Sequence, residues 1–196
     1  MENNILSLLT KNERRLLNIK QYQKNELVFN EGQACNSIGV IVQGEIEIVS
    51  YSFSGKEVIF NSLSKDQIFG NNLLLSSHPE YKGDVISRTK STIVFINRDN
   101  LLLLFSTNRD FLVSYLKVQS DFGKQLNSQI KMLTIDSARE RFEYYLFINQ
   151  GEIEYKSITS LANKLNLKRE TLSRLLSTLE KENVIQRSLH KIIRIN

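Results

Sequence analysis

Residues 168–174 read Lys-Arg-Glu-Thr-Leu-Ser-Arg, crowding guanidinium, carboxylate and hydroxyl groups into one short stretch. At helical spacing Arg169, Glu170, Ser173 and Arg174, with Ser177 beyond them, fall off the apolar stripe of Leu172, Leu175, Leu176 and Leu179. Groups of this kind read base edges. A carboxylate accepts a hydrogen bond from the amino group of cytosine or adenine, and a guanidinium pairs bidentately with guanine. A helix that enters the major groove by its N-terminal end brings both into range.

The neighbouring sequence is suited to holding such a helix. Ile158, Leu161, Ala162 and Leu165 recur at helical spacing and predict a supporting helix capped by Ser157 or Thr159. Asn166 and Leu167 leave room for the tight turn of a helix-turn-helix. Beyond the second helix, Val184, Ile185, Ile192, Ile193 and Ile195 flank a polar stretch over 187–191, the pattern of a short hairpin or wing.

Upstream the chain changes character. Segments 37–41, 45–51, 58–63 and 92–96 are rich in β-branched residues, and Gly32, Gly44, Gly55 and Gly70 punctuate them, which predicts a compact antiparallel β-roll. Within it, Glu45, Glu47 and Val49 alternate with Ile46, Ile48 and Ser50, so this strand is expected to bury one face and wet the other. Segment 110–134 contains no proline and only one glycine, Gly123, and predicts one long helix. Leu112, Tyr115, Gln119, Phe122, Leu126, Gln129 and Leu133 lie alternately three and four apart along it, the spacing of a helix-pair seam and hence of a homodimer. Packing of this stripe on the chain's own roll is the competing expectation. Asp136 is expected to cap a further helix whose Ala138, Phe142, Tyr145, Leu146 and Ile148 face inward, with Gly151 ending it. The expected organisation is an α+β chain with a jelly-roll-like domain over 1–108, a dimerisation helix over 109–135 and a winged helix-turn-helix over 136–196.

Composition narrows the function classes. The 196 residues are 41% hydrophobic with a net charge of +5. Residues 137–196 hold 11 Lys/Arg against 7 Asp/Glu, whereas 1–136 hold 15 against 14, so the basic excess lies with the base-reading stretch, where it favours phosphate contacts. No apolar run approaches a membrane span and residues 1–15 lack a signal-peptide pattern, which predicts a cytoplasmic protein. Cys35, the single cysteine, excludes an internal disulfide and an iron–sulfur cluster; it is expected in a loop between strands, with a thiol redox switch as the alternative. With only His78 and His190, and no histidine close to Glu45 or Glu47 in sequence, neither a haem site nor a metal-dependent enzyme of β-roll type is expected. No metal, cofactor or enzyme activity is predicted, because no phosphate loop, paired-cysteine motif or nucleophile elbow occurs.

The order of roll, long helix and winged helix resembles the CRP/FNR superfamily of bacterial transcription regulators over nearly the whole chain. The resemblance is carried by Glu31-Gly32, Gln43-Gly44-Glu45, Ile68-Phe69-Gly70 and, most specifically, the run Arg169 to Arg174. It implies a homodimer on double-stranded DNA, acting with RNA polymerase, in which Glu170 and Arg174 read a TGA core. Ser173 and Arg169 then tune the flanking bases, while Thr171, beside Lys168, holds phosphate. Ser173 matches the branch that reads TTGA-like half-sites and Arg169 the branch that reads TGTGA, so the half-site is open outside its core.

The resemblance also places an effector pocket around Phe69, Gly70, Asn71, Lys82 and Arg88. Family members that bind cyclic AMP use a glutamate after the Phe-Gly pair and an Arg-Ser dipeptide for the phosphate. Here Asn71 replaces the glutamate, and the stretch 79–83 just before residues 84–87 holds no arginine. Lys82 alone is a point charge without the bidentate fork. The expectation is a regulator gated by an effector other than cyclic AMP, or active without one. A sensor or scaffold working by protein contact is the non-DNA alternative.

Overall fold

The structure, a computed structural model, describes residues 4–52 and 54–195. Of the N-terminal stretch read above, residues 1–3 lie outside the described residues. The chain divides into two compact units, residues 1–121 and 122–196.

The first unit is built on eight strands: β1 (Asn18–Tyr22), β2 (Glu26–Phe29), β3 (Ser37–Gln43), β4 (Ile46–Tyr51), β5 (Glu57–Leu63), β6 (Ile68–Phe69), β7 (Asp84–Ser87) and β8 (Ser91–Asn97). They form two four-stranded antiparallel sheets, ordered β1-β8-β3-β6 and β2-β7-β4-β5. Ile38, Val40, Ile93 and Phe95 from the first sheet join one core with Ile46 and Val85 from the second. Within the first sheet, Gly39 of β3 faces Phe69 of the neighbouring β6: a Cβ there would stand 2.2 Å from the Phe69 ring, so only glycine admits that ring. The alternation expected in β4 is broken. A register shift between Ile48 and Val49 against β5 puts Ile46 and Val49 both in the core although they are three apart.

At the edge of the second sheet, β5 exposes Val58, Ile59 and Phe60, and Tyr51 at the end of β4 is also open. Strand β8 runs directly into helix α1 (Arg98–Thr107), which Asn97 caps by accepting from the Asn100 backbone N–H at 2.8 Å. Helix α2 (Arg109–Thr134) follows at once, with Asn108 Oδ1 accepting from Phe111 N–H at 3.0 Å.

In the second unit, the last turns of α2 precede helix α3 (Ala138–Ile148), strand β9 (Glu152–Glu154), helices α4 (Ile158–Lys164) and α5 (Arg169–Lys181), and strands β10 (Ile185–Ser188) and β11 (Lys191–Arg194). The strands make a three-stranded antiparallel sheet, β10-β11-β9. The cap of α3 is Ser137, whose side chain accepts from Glu140 N–H, and not Asp136. Ser137 stands three residues before the donor, as capping geometry requires, and Asp136 lies one residue too far out. Phe142 and Leu146 of α3 are buried as expected, whereas Ile148, on its last turn, is exposed.

Candidate nucleic-acid interface

Helix α4 starts in a capping box formed by Ser157 and Ser160, the first of the two expected caps. It ends at Leu165, and Asn166, at φ 51°, takes the left-handed conformation that asparagine tolerates and turns the chain into α5. The turn is fixed by Leu167 N–H donating to Ala162 C=O at 2.9 Å. Leu172, Leu176 and Leu179 on one side of α5 are fully buried with Leu161, Leu165 and Phe142. Each such side chain contributes about 1.5–3 kcal/mol on burial, enough to fix the rotation of α5 about its axis.

That rotation leaves Lys168, Arg169, Glu170, Thr171, Ser173, Arg174 and Ser177 exposed. A cleft of about 340 Å³ is lined by Arg169, Glu170, Ser173 and Arg174 together with Ile158 from the first turn of α4. Acceptor, hydroxyl and guanidinium groups thus border one concavity, the combination needed to discriminate base edges. The wing hairpin behaves differently. Arg187 is tied to Glu180, whose carboxyl it holds below the usual range, and Lys191 pairs with Glu152 at 2.6 Å.

The residues expected around an effector do not converge. Phe69 is a core side chain, packed edge-on against Phe29 and Phe95. Tyr81, a residue that sequence reasoning passed over, stacks on Phe29 with centroids 4.5 Å apart and is itself buried, so two aromatic rings fill this part of the roll. Gly70 makes a turn at φ 74°, where a Cβ would come within 3.0 Å of Ser37 C=O. Lys82 points outward and meets Glu80 at 3.6 Å. Arg88 is neutralised by Glu57 and Glu47, at 2.5 and 2.6 Å, and these carboxylates raise its pKa further. A guanidinium held by two carboxylates is a poor anion receptor.

Asn71 is committed to helix α2. Its backbone carbonyl accepts from Tyr115 Oη–H and from Gln119 Nε2–H, both at 3.0 Å, and its side-chain amide donates to Gln119 Oε1. Tyr115 and Gln119 therefore face the chain's own roll, correcting the continuous seam expected from spacing. Leu126 and Leu133, by contrast, are exposed, Gln129 is exposed beside them, and Phe122 and Leu112 are half-buried. The outward apolar positions in the first half of α2 are instead Val113 and Leu116, one place further along, and Ile130 continues them in the second.

Cys35 lies in the expected loop, between β2 and β3, and is 1% exposed, with its thiol directed at the carbonyls of Ser37 and Gly70. Burial pushes the thiol pKa up, which lowers its thiolate fraction and its reactivity toward oxidants. No helix among the described residues is long and apolar enough to cross a membrane.

Residues 19–108 match the family of cyclic nucleotide-binding domains. Solved structures resemble the chain over almost its whole length. A double-substitution variant of CooA from Carboxydothermus hydrogenoformans is 17% identical, with 98% of this chain and 90% of that one covered and a TM-score of 0.75. FixK2 from Bradyrhizobium japonicum is 18% identical over 92% and 93%, with a TM-score of 0.64. The catabolite activator protein of Thermus thermophilus is 18% identical over 97% and 93%, with a TM-score of 0.58. No curated protein sequence matches significantly. The chain therefore carries a match to a cyclic nucleotide-binding domain over residues 19–108 and shares the overall fold of these solved structures.

Proposed function

We propose that the protein is a homodimeric, sequence-specific transcription regulator that binds an inverted repeat with TGA-core half-sites and does so without cyclic AMP. The observation that carries this reading is α5: three fully buried leucines hold it, and Arg169, Glu170, Ser173 and Arg174 border an open cleft on its free side. In this reading Glu170 and Arg174 contact the core bases, Ser173 and Arg169 the flanking ones, and Lys168 and Thr171 the phosphates. The exposed apolar residues Leu116, Leu126, Ile130 and Leu133 are the surface through which two copies pair. Two-fold pairing requires half-sites about one helical turn apart. RNA polymerase is the downstream partner, and the cytoplasm the place of action.

Independence from cyclic AMP is supported by the roll. Tyr81 and Phe29 fill it, Lys82 faces solvent, and Arg88 and Asn71 are engaged by Glu57, Glu47 and helix α2. The test is selection of duplexes from a randomised DNA pool by the purified protein at two salt concentrations, with and without cyclic AMP. Recovery of the same inverted TGA repeat in both arms is expected. Only salt-sensitive binding without sequence preference would overturn the DNA reading, and recovery confined to the cyclic AMP arm would overturn the independence.

A further inference from the structure

Arg141 stands in the first turns of α3 and makes four hydrogen bonds, all to backbone carbonyls. Its Nε and Nη2 donate to Ile135 C=O at 3.1 and 2.5 Å, and its Nη1 donates to Leu165 C=O at 3.2 Å and Asn166 C=O at 2.9 Å. Ile135 is the residue just after α2, while Leu165 and Asn166 are the end of α4 and the turn into α5. One planar side chain thus joins the exit of the long helix to the turn that launches the recognition helix. Among the described residues no carboxylate pairs with it, whereas Arg139 on the same helix makes surface ion pairs with Glu143 and Glu182. The acceptors are carbonyls at the C-terminal ends of two helices, where unsatisfied C=O groups concentrate partial negative charge, and a guanidinium fork is the side chain that engages both together.

The exit of α2 is held to the reading head by two further contacts. Met132 is buried in the same core as Leu161, Leu172 and Leu176, and Lys131 lies over the Tyr144 ring at 4.7 Å. Met132 packs through apolar contacts that fix no direction, and Lys131 is exposed. Arg141 is the directional contact of the three.

We propose that Arg141 is a positioning residue for DNA reading, setting the angle of α5 relative to the end of α2 and thereby the half-site spacing that the dimer accepts. This rests on the dimeric DNA-binding reading above. A duplex with one additional base pair in the spacer moves the half-sites apart by about 3.4 Å and rotates them about the axis, so a fixed reading angle rejects it and a loosened one adapts.

The test uses full-length wild-type protein, Arg141→Met and Arg141→Lys, measuring affinity for the selected inverted repeat and for the same repeat lengthened by one base pair, alongside the thermal midpoint. Arg141→Met keeps the bulk of the stem and removes all four bonds; Arg141→Lys keeps the charge but has no fork. We expect both variants to lose about tenfold on the native spacing, comparable to one misread base pair, and to bind the lengthened repeat with little loss, so that discrimination between spacings collapses. Should Arg141→Met fail to fold, Arg141→Lys carries the test. Uniform weakening on both duplexes with a lowered midpoint would overturn the proposal in favour of plain stabilisation, and so would unchanged discrimination. Failure of wild-type protein to select any inverted repeat would instead bring down the underlying DNA reading, and the two failures are distinguished by which protein shows them.

Discussion

Glu170 and Arg174 sit one turn apart on the open side of α5, and among the described residues neither makes an ion pair. Replacement of either by alanine is expected to cost about 1–3 kcal/mol of discrimination at a core base while leaving the thermal midpoint unchanged, because nothing in the fold leans on them. Repeating the randomised-pool selection with each variant checks this: the lost preference should fall on one core position per half-site. Tyr115 answers to a different measurement. Burial pushes its phenol from 10 up to about 12, so the folded chain holds that proton more tightly than the unfolded chain does. The resulting stability is complete below pH 10 and disappears as pH rises toward 12. Denaturant midpoints of wild type and Tyr115→Phe should therefore differ at pH 8 in favour of wild type, by the roughly 1 kcal/mol of one hydrogen bond, and the gap should close and then reverse as the pH rises past 10 toward 12. A constant gap across that range would assign the difference to something other than the proton on this phenol.

At the level of elements, α2 has two jobs distributed along its length. Its first half is tied to the roll through Tyr115 and Gln119, and its second half presents Leu126, Ile130 and Leu133 to solvent. Ile130→Glu and Leu126→Glu are accordingly expected to shift the protein from dimer to monomer in sedimentation and to weaken inverted-repeat binding in step. A dimer unaffected by both would exclude this surface. The helix itself was legible in the sequence because 25 residues without proline and with one glycine leave few alternatives, and α4 and α5 because their leucines repeat at a clean helical period. Other elements were not. Strands β1, β2, β6 and β7 are short or mostly polar, and their partners lie far along the chain, with Asn18 opposite Phe95 and Glu26 opposite Ser87. Helix α1, RDNLLLLFST, shows a continuous leucine run whose period cannot be told from that of a strand. The seam failed at Tyr115 and Gln119 for a related reason: spacing gives the period of a stripe but not which surface covers each end. Arg141 carried no local signal at all, since two of its carbonyl partners are 24 and 25 residues away.

Taken as one molecule, the chain joins a roll filled by its own aromatic rings to a second unit whose α5 leaves Arg169, Glu170, Ser173 and Arg174 exposed. The exposed polar face of α5 was legible because it lies within seven consecutive positions. The fate of the effector region was not, because it depends on Tyr81 meeting Phe29 and on Asn71 meeting α2 across 44 and 48 residues of chain. The edge strand β5, with Val58, Ile59 and Phe60 open beside Tyr51, bears on how the protein behaves in the test tube. Its unpaired backbone groups and bare apolar side chains make it a template for strand-to-strand stacking between molecules. Concentrated stocks should cloud with time, and faster when warmed, by growth of sheet-rich aggregates. Ile59→Lys places a charge on that edge and is expected to raise the concentration at which light scattering begins, with the melting profile of the roll preserved.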